Sequence, residues 1–403
     1  MFNRIRSWLL IGLLFPVIAP AALASGTRQF PVTNAVGDGV TMNTKIIQAT
    51  IDQCAKQGGG TVVIPKGEFV SGALFLRPGV NLQLAAGAVL AASTNAADFP
   101  TRPGVRFEGH FSERATSLLN VYGCDHFRLT GPGVLNGNGE AYWNAKLPLG
   151  RPRLAEICDS KDVTVSGVKF TNSASWNLHF YNCQDSTVEN CRFEISSNGK
   201  GPSTDGTDID SSQNITVKGC FFNVNDDCVC LKGNRYDGLN QEPKSLPVRN
   251  ILVTDCTFVR GMGALTLGTE ATIIRDVEFK NSTVTGNMPM LRLKYRPDTA
   301  GQDYAGVHVH DIKLDGPRGR IINLAPTHGT KVPPEKAARG KLSNVTVENI
   351  SGRFGAFGKL NGTLTDVRDI TLRNIEVKVT GDPNLDTNQV VNLKMENVKV
   401  TAE

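Results

Sequence analysis

The sequence predicts an all-β solenoid, a right-handed parallel β-helix of about ten coils with one helix capping its N-terminal end. Three observations carry this. First, one short pattern recurs: a polar residue, an apolar one, any residue, an apolar one, two small or polar residues, then often Cys or an aliphatic. It reads DVTVSGV from Asp162, DSTVENC from Asp185, NITVKGC from Asn214, NILVTDC from Asn250 and DVEFKNS from Asp276. It continues as DIKLDGP from Asp311, NVTVENI from Asn344, DITLRNI from Asp369 and NLKMENV from Asn392, with weaker copies at Asn81 (NLQLAAG) and His126 (HFRLTGP). Second, from His126 onward the copies are spaced 36, 23, 29, 36, 26, 35, 33, 25 and 23 residues apart. The short spacings suit one coil and the long ones a coil with a loop. Third, Gly makes up 41 of 403 residues without a triplet period, which suits many turns and excludes collagen. Each copy is a period-2 strand followed by a turn, too short to bury its own face. Stacking the copies in parallel buries a continuous core, and the crossover rule makes the winding right-handed.

Taken in order, the elements support this. Arg4 and Arg6, the apolar run Trp8 to Ile18, and Ala22-Leu23-Ala24 read as a signal peptide over residues 1–24. Cleavage after Ala24 is expected to leave an exported chain, periplasmic or extracellular, with no later membrane span. Residues 43–57 carry Ile47, Ile51, Cys54 and Ala55 on one helical face and run into Gly58-Gly59-Gly60, a helix with a glycine stop. No linker divides residues 25–403, so one β-helix domain is expected. Loops at 140–155, 234–247, 296–307 and 326–341 are expected to wall a cleft. All nine cysteines fall after residue 24, and an odd number leaves at least one unpaired within a monomer. Cys191, Cys220 and Cys256 share one repeat position, which predicts an inward thiol ladder. Metal-type spacing is poor, and the closest pair, Cys228-x-Cys230, does not make a zinc knuckle. A net charge of +5, or +3 without Arg4 and Arg6, is no nucleic-acid footprint.

Carboxylates collect after successive repeats. Leu231 lies 17 residues after Asn214, and Leu267 lies 17 after Asn250, so those two coils align without a gap. Asp226 then stacks on Met262. Matching Thr207-Asp208-Ile209 to Val229-Cys230-Leu231 places Asp205 beside Asp227. Alternation turns Asp208, Cys230, Thr266 and Arg292 outward, with Lys294 on the same side as Arg292. The expected result is an outer-surface column of Asp205, Asp208, Asp226 and Asp227 with two cations one or two coils away. Strands about 4.8 Å apart put such carboxylates roughly 5–10 Å from one another, a range that includes a pair flanking a glycosidic bond and a water. Crowded like charges raise a pKa, as a general acid needs. Arg and Lys bind a substrate carboxylate. Trp176 and His179, one coil earlier, could line a sugar subsite or pack in the core.

At these residues the chain resembles glycoside hydrolase family 28, the polygalacturonase family. The family's Asn-Thr-Asp stands here as Ser203-Thr204-Asp205, its Asp-Asp as Asp226-Asp227 followed by Cys228, its Gly-His-Gly as Gly261-Met262-Gly263, and its Arg-Ile-Lys as Arg292-Leu293-Lys294. The resemblance implies a glycoside hydrolase that inverts by single displacement, with Asp226 as general acid and Asp205 and Asp227 activating water. It implies that Arg292, Lys294, Asp208, Ser203, Met262 and His179 contact a pectic polysaccharide or oligosaccharide. It implies no metal or other cofactor, and a monomer is expected. Met262 replaces a titratable ring with a side chain that cannot titrate. An exo-acting or rhamnogalacturonan-type hydrolase therefore stands beside an endo-acting one. A calcium-dependent β-helix lyase using Arg292 or Lys294 as base, and a non-catalytic glycan-binding β-helix, are the readings from other mechanisms and classes.

Overall fold

The computed structural model describes residues 28–196, 200–234, 246–268, 270, 273–326, 332–333, 336–362 and 365–403. The leader expected at 1–24 lies outside them, as do most of the loop at 234–247 and part of that at 326–341. The described chain winds as a right-handed parallel β-helix. One parallel sheet takes one strand from each of eleven coils, in chain order from Leu74–Phe75 to Leu385–Asp386. A second sheet of 21 strands wraps the remaining sides. In the coils from Asp162 to Asn250 it has two short strands per coil, such as Thr164–Ser166 and Lys169–Thr171. Later coils fuse these into single bent strands: Ile273–Val284, Asp303–Asp315, Gly340–Phe354 and Thr365–Val379.

The polar residue that opens each repeat has a backbone reason. From His126 to Asn392 every one of these ten positions has φ between +52° and +59°. Asn and Asp tolerate the left-handed region better than other non-glycine residues. Their side chains also link coil to coil. Asn250 Nδ2 donates to Asn214 Oδ1 at 2.8 Å, Asn214 Nδ2 to Asp185 Oδ1 at 2.7 Å, and Asn392 Nδ2 to Asp369 Oδ1 at 2.6 Å.

The apolar repeat positions point inward. All nine cysteines are buried free thiols, and Cys191, Cys220 and Cys256 sit in successive coils as the repeat predicts. Beside them runs a stack that composition alone did not suggest. Phe170, Phe193, Phe222 and Phe258 lie ring on ring, with centroids 4.8, 5.0 and 5.1 Å apart. Each fully buried ring contributes about 1.5–3 kcal/mol by burial, and each stacked pair about 0.5–1.5 kcal/mol more. The signal was present as Cys-x-Phe in three coils.

The capping helix spans Thr44–Lys56 and buries Ile47, Ile51 and Cys54 against the first coil. It ends in a Schellman motif: Gly59 N–H donates to the Cys54 carbonyl and Gly58 N–H to that of Ala55. Gly58 sits at φ +91°, where a side chain would be strained. Gln48 closes the edge of the eleven-stranded sheet, since its amide accepts from Phe75 N–H at 2.8 Å and donates to Phe75 C=O at 3.0 Å.

Candidate active site

The predicted register holds residue for residue. Thr207, Asp208 and Ile209 pair with Val229, Cys230 and Leu231, which pair with Leu265, Thr266 and Leu267. Thr266 pairs with Arg292, so Asp208, Cys230, Thr266 and Arg292 form one outward column. Met262 N–H donates to the Asp226 carbonyl at 2.9 Å, which stacks those two turns. Ser203, half-buried at φ +56°, opens the turn that carries Asp205. Thr204 Oγ1 accepts from Asn225 N–H, fastening that turn to the one bearing Asp226 and Asp227.

The turns bring the carboxylates together. Oxygens of Asp205 and Asp227 and the Cys230 sulfur lie within 4.8 Å of one another. Asp227 is held by Arg292 Nη1 at 2.9 Å and Thr266 Oγ1 at 2.8 Å on Oδ1, and by Lys294 Nζ at 2.5 Å and the Cys230 thiol at 3.8 Å on Oδ2. A Cβ on Gly263 would fall 2.3 Å from Thr266 Oγ1 and 3.1 Å from Arg292 Cβ, so glycine there keeps open the space through which both reach Asp227. Burial disfavours the Asp227 charge, but Lys294 and then Arg292 outweigh it and hold the carboxyl down at about 2. Its neighbours go the other way. Burial, reinforced by Asp208 and Asp226, pushes Asp205 well above the carboxylate range. Burial lifts Asp208 to about 6, and burial with Asp227 raises Asp226. One carboxyl held low thus stands among three that are raised. Asp226 is the most solvent-accessible of the four.

Two expectations need correction. The column faces outward from its sheet but does not lie on the molecular surface: Asp205 is 3% exposed, and Asp208, Asp227 and His179 are 0%. A hairpin, Thr101–Phe107 paired antiparallel with His110–Ala115, packs beside it. Phe107 stacks on Trp176 at 4.7 Å, and Arg106 clamps Asp210 (Nε to Oδ2, 2.9 Å), the Gly233 carbonyl (2.7 Å) and Asn234 Oδ1 (2.9 Å). His179 and Asp208, expected to touch sugar, are both buried. His179 Nδ1 lies 2.6 Å from Arg153 Nη1, and since a guanidinium only donates, Nδ1 is the acceptor. Arg153 in turn bonds Glu156 at 2.9 Å, and Tyr122 completes the buried chain at 2.8 Å from the other Glu156 oxygen.

Arg292 and Lys294, expected to hold a substrate carboxylate, both hold Asp227. Arg292 keeps 12% of its side chain exposed and Lys294 keeps 6%. Met262 is 47% exposed at the rim. Sequence reasoning passed over Lys232. It is buried, with Nζ 3.5 Å from Asp208 Oδ1 and 3.8 Å from both Asp205 Oδ2 and Glu270 Oε2, and 4.8 Å over the Trp176 ring. Its parity with Cys230, two residues earlier in the strand, is the signal that could have found it. The Asp205–Asp227–Cys230 cluster suits a metal poorly. Asp227 already carries two cations, and burial pushes the Cys230 thiol well above its ordinary value, which keeps it protonated.

The family described as "Glycosyl hydrolases family 28" matches residues 54–402. The chain belongs to that family. Among family 28 relatives it is 28% identical over 274 residues to a probable polygalacturonase of Vitis vinifera, covering 64% of this chain and 55% of that protein. It is 28% identical over 410 residues to an exo-poly-α-D-galacturonosidase of Dickeya chrysanthemi, covering 87% and 64%. It therefore spans less than two thirds of the length of either. In fold it is similar to a hyperthermoactive exopolygalacturonase from Thermotoga maritima, with a TM-score of 0.73 at 21% identity over 91% of this chain and 92% of that one.

Proposed function

We propose that this chain hydrolyses glycosidic bonds of a pectic, uronate-containing chain by single displacement with inversion. The observation that carries this is the split among adjacent carboxylates, with Asp227 held as an anion at about 2 and Asp226 raised at the cleft surface. Asp226 donates a proton to the leaving oxygen. Asp205 and Asp227, with oxygens within 4.8 Å of each other, hold the attacking water between them. In its ionised form Asp205 accepts the water's proton on Oδ1, an atom with no hydrogen-bond partner among the described residues. Lys232 favours the anionic form of Asp205 at that step. The exposed edge of Arg292 takes the uronate carboxylate, while Lys294 stays on Asp227.

The same contacts weigh against the lyase reading. Burial would lower Lys294, yet Asp227 keeps it above its ordinary value, so Lys294 stays a cation rather than a base. A glycan-binding module has no use for adjacent buried carboxyls whose pKa values are pushed apart. The hairpin Thr101–Ala115, packed on Trp176 one coil before Asp205 and on Asp210 and Asn234 beside it, favours action from a chain end. We also propose that the chain is exported after cleavage near Ala24 and works as one β-helix domain over residues 25–403. N-terminal sequencing of secreted protein starting elsewhere would refute the cleavage site.

The deciding test is Asp226→Asn on polygalacturonan and, in parallel, on rhamnogalacturonan. Release of reducing ends is expected to fall about 10²–10⁴-fold on the substrate of the wild type. Near wild-type release would remove Asp226 from the role. The first-formed anomer, followed by NMR, should be inverted. Short products without an early viscosity drop support chain-end action, and a rapid viscosity drop opposes it.

A further inference from the structure

Outside the carboxylate cleft, the 21-stranded sheet brings two imidazoles and a carboxylate together on its outer face. His308 and His310 alternate along Asp303–Asp315, so both point out, and Glu278 pairs in register with His308 from the preceding coil. Ligand atoms of Glu278, His308 and His310 lie within 4.8 Å of one another, and the two rings are in face contact at 4.2 Å.

The second observation concerns the far side of each ring. His310 places Nδ1 on Asp311 Oδ2 at 2.6 Å, which aims Nε2 at Glu278 Oε1, 3.0 Å away. His308 places Nε2 on Glu348 Oε1 at 2.7 Å, leaving Nδ1 as its second nitrogen. A carboxylate behind each imidazole, orienting the ring, is the outer-shell arrangement of metal-bound histidine. The 3.0 Å separation is near the roughly 3.3 Å edge of a tetrahedron with ~2.0 Å metal–ligand bonds. Two cations lie close: Lys280 Nζ on Glu278 Oε1 at 2.9 Å, and Arg373 on Glu348. Lys280 is partly exposed and can turn to solvent when a divalent ion takes that oxygen. The side chains of His308 and Glu278 are 43% and 39% exposed, so an ion has a way in.

We propose that Glu278, His308 and His310 form a binding site for a borderline divalent cation, Zn²⁺ or Ni²⁺ by ligand chemistry, that clips two adjacent coils together. Two imidazoles and one carboxylate select such ions over Ca²⁺ or Mg²⁺, which take oxygen shells. The remaining coordination positions go to water. The site rests on its own residues, so the proposed reaction can fail without touching it.

The test is isothermal titration of chelator-treated, tag-free full chain with ZnCl2, NiCl2 and CaCl2. One Zn²⁺ or Ni²⁺ per chain is expected, with Ca²⁺ much weaker, and His308→Gln and Glu278→Gln each weakening Zn²⁺ at least about tenfold. Because ions that bind only the folded state stabilise it, saturating Zn²⁺ should raise the wild-type unfolding midpoint by on the order of 2 °C and that of His308→Gln less. Both variants replace partly exposed groups, and their metal-free midpoints report whether they fold. Absence of binding, binding unaffected by either variant, or Ca²⁺ binding as tightly as Zn²⁺ would each overturn the site.

Discussion

The two sheets share strand spacing and register but treat outward charge in opposite ways. On the 21-stranded face, Ile273–Val284 buries mainly alternate residues, and its outward Glu278 and Lys280 stay partly exposed in pairs. On the eleven-stranded face, Leu178–Tyr181, Thr207–Asp210 and Val229–Lys232 bury all four residues each. The hairpin and the neighbouring turns account for that difference. Alternation therefore reports which side of a strand meets water, not the strand itself. Where a second layer covers the sheet, the same outward positions become desolvated carboxylates. Neighbouring groups of one chemical type then separate, from about 2 at Asp227 to about 6 at Asp208.

The comparison breaks most directly at Arg106. Its guanidinium and Asp210 are both buried, so Arg106→Ala leaves a buried anion without its main partner and should cost about 3–5 kcal/mol. The matching change on the open face, Lys218→Ala, removes a half-exposed partner of Glu189 and should cost under about 1 kcal/mol. Equal losses in denaturant unfolding would mean the hairpin does not desolvate the cleft. The next effect is pH-dependent. Asp208 is raised in the folded state, so between about 4 and 6 the folded chain keeps a proton that the unfolded chain has released. Stability should fall as pH rises through that window, by an amount on the order of 2–3 kcal/mol from this group. Asp227 has the opposite sign: its contribution is present above its unfolded value near 3.8 and is lost as pH falls toward about 2. Midpoints of wild type and Asp208→Asn measured from pH 4 to 7 should converge at the acid end, and parallel curves would contradict the assignment. The smallest effect belongs to the repeat itself. Asn250→Ala should cost about 1–2 kcal/mol through left-handed strain and a lost ladder bond, while Asn250→Gly should recover most of the strain. Equal costs for Ala and Gly would remove the backbone explanation.

What was legible in the sequence follows the same division. The coil register and the neighbourhood of Asp205, Asp226 and Asp227 could be read because buried repeat positions recur without gaps, and the 17-residue offsets carried the alignment outward. The hairpin could not be read from repeats, because it belongs to none. Its turn, Glu108-Gly109 at φ +46° and +81°, is a two-residue hairpin connection, but Glu-Gly is a weaker signal than Asn-Gly or Asp-Gly. Missing that layer is part of why the carboxylate column was expected on the outer surface. The pairing of Arg292 and Lys294 with Asp227 was also out of reach, since alternation gives the side a residue faces and not the partner it finds.

Inside the 21-stranded sheet the corners are two residues long, as at Gly167-Val168, Asn190-Cys191, Gly219-Cys220 and Asp255-Cys256. The extra residues of the long coils fall beside the eleven-stranded sheet, as at 137–154 before Ala155–Cys158 and 296–302 after Leu291–Tyr295. Length and register are thus decoupled. Segments can be lengthened, shortened or exchanged around the carboxylates without shifting the strand register, provided anchors such as Tyr142 and Leu154 are kept, so the molecule behaves as a fixed spool with replaceable rims.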